Sequence, residues 1–185
     1  MSKNDQSTSP ESNGMTVTQF ASELADREAI RDCLMRYSRA CDRLDLDLLR
    51  TCYWPDAIDE HAGFKGNREE FIKYIEGAIG SMEITQHFLG NILIMIDGDV
   101  AKTETYYQAY HRIPGEGGVP FDMVGSGRYI DQFEKRNDEW RISRRFVTTD
   151  WLRVYTDSTD WNNPPLGIVP VPGMHKPDDP SFRLL

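Results

Sequence analysis

The chain has 185 residues, with 21 Lys and Arg against 30 Asp and Glu, and a formal net charge of −9. This length suits a single domain, because domains usually contain about 100–200 residues. The negative charge argues against a nucleic-acid partner, since phosphates attract clustered Lys and Arg. The longest apolar run, residues 92–96, is far shorter than the roughly 20 residues that cross a bilayer. The first residues show no apolar core of a signal peptide, so we expect a cytoplasmic protein without a membrane partner.

The N-terminal half is predicted to be helical after a polar arm. Residues 1–19 are rich in Ser, Asn, Asp, Gly and Pro, which predicts a disordered arm. From about Ala21 to Leu44, apolar residues recur at the spacing of one face of a long helix. A short helix is predicted over residues 47–53, because Pro55 disfavours helical backbone before it.

A weak strand and a third helix follow. Residues 56–62 have a weak strand pattern that is closed by glycines. Asn67 is a good N-cap, and Glu70 stands three residues later, as in a capping box. This pattern predicts a helix that ends at Gly80.

After Gly80 the apolar pattern alternates with a period of two, which indicates strands. Asp97-Gly98 and Asn137-Asp138 are typical of hairpin turns, and Gly90 is a candidate bulge. Residues 114–120 are predicted to form a loop. The four predicted strands are 84–96, 99–113, 121–136 and 140–152.

Helices followed by a run of antiparallel strands predict an α+β fold. We expect the helices to cover one face of a strongly curved sheet and to form a conical α+β barrel with a cavity at its wide end. The domain is predicted over residues 20–155. Residues 156–185 are proline-rich but carry apolar side chains, so this tail is expected to pack on the domain or on a neighbouring subunit.

The composition favours a pocket for a small molecule over a metal or cofactor site. Four Trp and eight Tyr exceed the needs of a small core and suit a pocket for an aromatic ligand. The three cysteines, at positions 33, 41 and 52, form no CxxC pair and have no His at metal-ligand spacing. They are interpreted as small buried hydrophobic residues. The sequence also shows no Gly-rich phosphate loop, so no cofactor and no metal are expected.

Candidate chemistry therefore depends on one His with one carboxylate, an arrangement that can take up and release a proton. Asp42 ends the first helix, although it could be an exposed acid in a charged turn. His87 interrupts an apolar strand, where the pattern alone favours a core histidine, and His111 ends the next strand, where it could equally lie at the surface. Of Arg144 and Arg145, one should point inward, and the alternation does not decide which.

Several segments together resemble a known family. The chain is similar to the SnoaL-like branch of the NTF2-like superfamily over about residues 21–151, and in particular to scytalone dehydratase and hexachlorocyclohexane dehydrochlorinase. The segments that carry the resemblance are YSRACDRLDLDLL, YWPDA, TQHFLGN, the DGD hairpin with AKTET after it, and GRYIDQFEKRNDEWRISRR.

This resemblance implies an Asp–His dyad, which falls on Asp42 and His87. By strand position it also implies a second histidine at His111 and an arginine at Arg145, counted from the W-x-x-S-x-R pattern. The tyrosine that precedes the dyad Asp in scytalone dehydratase is Cys41 here, so another tyrosine would have to replace its phenol. The candidate replacements are Tyr37, Tyr53, Tyr107 and Tyr129. The candidate cavity walls are Trp54, Phe88, Tyr107 and Met123, each of which could also be an ordinary core residue.

We expect a cofactor-independent lyase that acts on an aromatic or apolar small molecule. Dehydration, dehydrohalogenation and formaldehyde release are all compatible with the resemblance. The alternatives are a non-catalytic β subunit of a ring-hydroxylating dioxygenase, or an isomerase, a cyclase or a binding protein on the same fold. The resemblance and the apolar tail also favour a homodimer or a homotrimer.

Overall fold

The structure is a computed structural model that describes residues 16–61, 63–156, 159–160, 163–168 and 171–183. Three helices pack on one six-stranded sheet. The helices are α1 (Val17–Arg43), α2 (Leu46–Cys52) and α3 (Arg68–Gly80). The strands are β1 (Tyr53–His61), β2 (Phe64–Asn67), β3 (Ile84–Asp97), β4 (Val100–Ile113), β5 (Phe121–Arg136) and β6 (Glu139–Tyr155).

The sheet has the order β2-β1-β6-β5-β4-β3. All neighbouring strands are antiparallel except β1 and β6, which are parallel. The predicted α+β fold is confirmed. The sheet nevertheless ends at β2 and β3 within the described residues, so it forms an open, bent layer and does not close into a barrel.

Helix α1 begins earlier than the apolar pattern predicts. The Thr16 side chain accepts a hydrogen bond from the backbone N–H of Gln19, and the Gln19 side chain accepts one from the backbone N–H of Thr16. This capping box starts the helix at Val17 and not near Ala21, so residues 16–19 are not part of an arm. The rest of the predicted arm, residues 1–15, lies outside the described residues.

The first two strands differ most from the prediction. Strand β1 begins at Tyr53 and contains Pro55, which lacks a backbone donor. The register with β6 shifts between Tyr53 and Ile58, so that Pro55 does not need to donate. Strand β2 has only four residues, between Gly63 and the start of α3, and the sequence pattern missed it.

The remaining elements follow the sequence closely. Asn67 Oδ1 accepts the backbone N–H groups of Glu69 and Glu70, and the Glu70 side chain accepts that of Asn67, which confirms the capping box of α3. The register shift between Leu89 and Ile92 confirms the bulge at Gly90. Both predicted hairpin turns are present, with left-handed backbone at Gly98 and at Asn137-Asp138.

The core fills the space between the helices and the sheet. Helix α1 packs on β3 and β6, and α3 packs on β1 and β2. The three cysteines are reduced and buried, as predicted. None of the helices in the described ranges combines the length and the apolar character that crossing a membrane requires.

Part of the C-terminal tail lies against α1. The backbone N–H of Lys176 donates to the carbonyl oxygen of Arg43 at 2.7 Å, and the Arg43 guanidinium lies 3.4 Å from the Asp179 carboxylate. These contacts place residues 174–181 beside the C-terminal end of the helix.

Gly127 should be indispensable to the bend between β5 and β6. The register shifts between Ser126 and Gly127, and a Cβ at Gly127 would overlap the Thr148 carbonyl. We expect Gly127→Ala to lower the free energy of unfolding by about 1–3 kcal/mol, the usual cost of overpacking. Gly77→Ala is the control, because a Cβ at this helix-interior position would meet nothing within 4 Å. This substitution should raise the free energy of unfolding by about 1 kcal/mol, since Ala favours the helix over Gly. Urea denaturation measures both, and an unchanged Gly127→Ala would contradict the account.

Candidate active site

Asp42 and His87 meet where α1 ends above the inner face of β3. The His87 ring Nδ1 lies 2.7 Å from Asp42 Oδ1, and the backbone N–H of His87 donates to Asp42 Oδ2 at 2.9 Å. The His87 side chain is only 8% exposed and the Asp42 side chain only 10% exposed. One carboxylate therefore fixes both the backbone and the ring of His87.

The geometry also assigns the protons of this pair. Because both Asp42 oxygens accept hydrogen bonds from His87, the carboxylate acts only as an acceptor. The proton of the neutral ring then sits on Nδ1, which leaves a free lone pair on Nε2. An acid in the last turn of a helix opposes the helix dipole, so Asp42 contributes little to the helix itself and serves the contact with His87.

His111 lies beside this pair on the next strand. Its ring contacts that of His87 edge to face, with centroids 5.6 Å apart, and its Nδ1 lies 2.9 Å from the Thr85 hydroxyl. Burial, and to a lesser extent the charge of His87, lower the pKa of His111 to about 4. His111 is therefore neutral near pH 7.

Arg145, and not Arg144, points inward. The Arg145 guanidinium is fully buried and donates twice to the Asp131 carboxylate, with both distances 2.7 Å. Its Cζ lies 4.0 Å from the ring centre of Tyr37 and 4.2 Å from that of Tyr129. Arg144 lies on the outer face and binds Glu60. Arg145 is thus held by the protein and is not a free surface group.

A second Asp and His lie inside the fold and were missed as site residues from the sequence. Asp59 is paired with Arg145 across β1 and β6, and its Oδ2 accepts the Tyr53 hydroxyl at 2.7 Å. His61 follows on the same face, with its Nδ1 3.7 Å from Asp59 Oδ1. The sequence signal was the alternation of Ala57, Asp59 and His61 in a strand whose other face, with Asp56 and Glu60, is more exposed.

Burial changes the ionisation of this second pair. It raises the pKa of the Asp59 carboxyl to about 7, although Arg145 and the Tyr53 hydroxyl act in the opposite direction. Burial, with the nearby positive charge of Arg145 as the next cause, lowers the pKa of His61 to about 3. His61 is therefore neutral near pH 7, and Asp59 is partly protonated.

The predicted tyrosines surround Arg145 and do not line the dyad directly. Tyr37, Tyr53 and Tyr129 are at most 1% exposed. Tyr107 stacks on Tyr129, with centroids 4.5 Å apart, and connects this cluster to the more open part of the sheet. Met123 is half-buried and pairs with His111 across β4 and β5. It therefore lies beside the histidine whose ring contacts that of His87.

Two predicted cavity walls are wrong. Phe88 is 68% exposed, because strand alternation turns it to the outer face when His87 faces inward. Trp54 is buried at the far end of the sheet, where its indole N–H donates to the Glu134 carbonyl and two arginines lie over its ring. His175 lies in the tail beside Arg43, away from the strand histidines.

Across the described parts of the chain, no three His, Cys, Asp or Glu side chains come together as a set that could hold a metal ion.

The buried Arg145–Asp131 pair should respond unequally to single and double substitution. Asp131→Asn leaves an unbalanced guanidinium in the core, so we expect a loss of about 3–5 kcal/mol in unfolding free energy. The double variant Asp131→Asn with Arg145→Met removes both charges and should recover part of this loss. Urea denaturation of the wild type, both single variants and the double variant completes a double-mutant cycle. If the losses of unfolding free energy in the two single variants simply added up in the double variant, the pairing would be contradicted.

Asp59 should make stability depend on pH. Its pKa of about 7 in the folded chain exceeds the ordinary unfolded value of about 3.9, so the folded state holds more protons between these values. Stability from this group is therefore lost as pH rises from about 4 to about 7. We expect the free energy of unfolding of Asp59→Asn, relative to that of the wild type, to increase as pH rises from about 4 to about 7. Above about pH 7 the difference between the two proteins should stay constant. Parallel curves in urea denaturation at several pH values would contradict this assignment.

Comparisons with known proteins agree with this fold. The SnoaL-like domain model matches residues 22–146. The uncharacterized protein Rv2910c of Mycobacterium tuberculosis is 30% identical over 129 residues, which cover 68% of this chain and 86% of that protein.

Solved structures show the same architecture. A hexachlorocyclohexane dehydrochlorinase (LinA) of type 2 superposes with a TM-score of 0.70 at 19% identity, covering 80% of this chain and 99% of that one. A candidate scytalone dehydratase from Novosphingobium aromaticivorans gives a TM-score of 0.65 at 24% identity, covering 80% and 98%. These structures establish the shared fold, and the match to the domain model over most of the chain shows that this protein belongs to the SnoaL-like domain family.

Proposed function

We propose that the protein is a cofactor-independent lyase in which His87 removes a proton from the substrate. The observation that supports this most directly is the 2.7 Å contact between Asp42 and His87 Nδ1, which leaves Nε2 free to accept a proton. A positioned base of this kind contributes about 10²–10⁴-fold to a rate. The dehydratase and dehydrochlorinase among the similar folds carry out eliminations according to their names, which is consistent with this chemistry.

In the proposed step, the substrate C–H proton moves to His87 Nε2 and the bonding pair forms a double bond as the leaving group departs. Asp42 stabilises the imidazolium that forms, because its carboxylate accepts the Nδ1 proton. His111, neutral and 5.6 Å from His87 between ring centres, can donate a hydrogen bond to developing negative charge. Arg145 supplies a fixed positive charge from behind the tyrosines, and it does not touch the substrate.

The inner face near the dyad favours an apolar or aromatic substrate. Leu152 and Val154 on β6 pair with Gly125 and Met123 on β5, in the same rows of the sheet as His87 and His111. Leu152 is 55% exposed and Val154 is 54% exposed, so apolar surface is available there. A ligand that covered these side chains would gain about 25 cal/mol for each Å² removed from water.

A binding role as the β subunit of a larger complex is the second candidate. A cleft of about 330 Å³ on the outer face of the sheet is lined mainly by exposed apolar side chains, which would suit a partner chain or a second copy. These side chains are Leu93, Met95, Ile130 and Phe146. The outer face is also where the expected homodimer or homotrimer would form.

Removing either member of the dyad should abolish turnover without unfolding the chain. We expect His87→Ala and Asp42→Asn each to lower kcat by about 10²–10⁴-fold, measured on any elimination substrate that the wild type converts. Gln86→Ala is the matched control, because this neighbouring residue is exposed on the opposite face of β3. If either dyad variant kept the wild-type rate with an unchanged melting temperature, the proposed function would be wrong.

A further inference from the structure

The last described segment of the chain, residues 171–183, takes no part in the proposed reaction, yet it is bound closely to the end of α1. We call this segment the clasp. It contacts Arg43, the last residue of the helix, and Asp42 of the dyad directly precedes Arg43. Whatever holds Arg43 therefore also bears on the position of Asp42.

The end of α1 needs partners for its last carbonyl groups, because a helix leaves the final four without an intrahelical donor. The carbonyl oxygens of Ala40 and Cys41 accept backbone N–H groups from the two residues that follow the helix. The Asp42 carbonyl accepts the Arg43 guanidinium at 3.1 Å. The Arg43 carbonyl accepts the backbone N–H of Lys176, in the clasp, at 2.7 Å. The clasp thus completes the helix end that carries the acid of the dyad.

The Arg43 side chain joins the clasp to the backbone of Asp42. Its Nη1 donates to the Asp42 carbonyl, and its Nε lies 3.4 Å from Asp179 Oδ2. Gly173 passes so close to the guanidinium that a Cβ there would lie 2.9 Å from Nη1. The clasp therefore holds the guanidinium at two places, and the guanidinium carries this restraint to the last turn of α1.

Asp179 folds the clasp into the shape that receives Arg43. Its Oδ2 accepts the backbone N–H of Met174 at 2.9 Å, and its Oδ1 accepts both the backbone N–H and the hydroxyl of Ser181. Burial acts to raise the pKa of the Asp179 carboxyl, but these hydrogen bonds and the Arg43 charge hold that pKa at about 2. Asp179 is therefore a buried, ionised acceptor near neutral pH.

Two further contacts fasten the clasp to the helices. Lys176 Nζ lies 2.9 Å from Asp45 Oδ1, and Asp45 is also the N-cap of α2. Arg39, one turn earlier on α1, donates to the Ser181 hydroxyl and lies over the Phe182 ring, 5.0 Å from its centre. These contacts all lie on the helix side of the dyad, whereas the strand of the dyad histidine, β3, is held by its pairing with β4.

We propose that the clasp holds Asp42 within hydrogen-bond distance of His87, and that Asp179 is its positioning residue. The inference rests on the proposed function for its effect on turnover, whereas its effect on the dyad geometry needs no substrate. His87 Nδ1 lies 2.7 Å from Asp42 Oδ1, so a displacement of about 1 Å at the end of α1 would break this hydrogen bond. Misplacement on this scale can cost about 10²-fold in rate.

Substitution at two adjacent acids tests this role in the full-length chain. Asp179→Asn removes the charge that holds Arg43, and Asp178→Asn is the matched control, because Asp178 is exposed. Nitrogen-15 NMR should show that Asp179→Asn weakens the preference of the neutral His87 ring for a proton on Nδ1, and that Asp178→Asn leaves it unchanged. On the elimination substrate used for the dyad variants, Asp179→Asn should lower kcat by about 10–10²-fold with little change in KM, because it acts through Asp42.

Arg43→Gln is the second variant, should Asp179→Asn not fold, because it leaves the hydrogen bonds within the clasp in place and should change His87 in the same way. If a folded variant keeps the wild-type His87 tautomer, if Asp178→Asn acts like Asp179→Asn, or if neither clasp variant folds, the clasp is only structural and the inference is overturned. If the tautomer preference weakens but the wild type converts no elimination substrate, the clasp stands and the proposed function alone fails.

Discussion

The Asp42 carboxylate joins the last turn of α1 to β3, and the arrangement of the interior depends on this contact. One oxygen accepts the backbone N–H of His87 and the other accepts its ring Nδ1, so helix and strand are held at a fixed distance. These two hydrogen bonds offset the unfavourable interaction of the carboxylate with the helix dipole at the C-terminus of α1. The same contact orients the His87 imidazole. The Asp42 carboxylate therefore both holds α1 against β3 and positions the proposed base.

Deeper in the fold, three ionisable groups lie side by side on neighbouring strands. Asp59, Arg145 and Asp131 form one row across β1, β6 and β5. Arg145 is committed to Asp131 by two hydrogen bonds, so it only partly offsets the burial of Asp59. One acid in the row is therefore paired with the guanidinium, and the other is partly protonated near neutral pH. This unequal division of one positive charge between two acids is consistent with the raised pKa of Asp59.

Local signals in the sequence predicted much of the fold, and long-range register decided what they missed. The capping box at Asn67 and the turn at Asn137-Asp138 have short-range causes, and both were predicted. Alternation from Trp140 and Ile142 would turn Arg144 inward, but a bulge at Ser143 reverses the faces and buries Arg145. Only the pairing with β5 reveals this bulge. The dyad came from the family resemblance, whereas Asp59 and His61 became visible only once β1 was placed beside β6.

The central claim is that Asp42 holds His87 with its proton on Nδ1 and a free lone pair on Nε2. Nitrogen-15 NMR of the histidine side chains in the full-length chain, with His87→Gln to assign the signals, measures this directly. The account predicts a protonated Nδ1 and an unprotonated Nε2 for the neutral His87 ring, and loss of this preference in Asp42→Asn. A neutral ring protonated on Nε2 in the wild type would contradict the account, because such a ring could not accept the substrate proton.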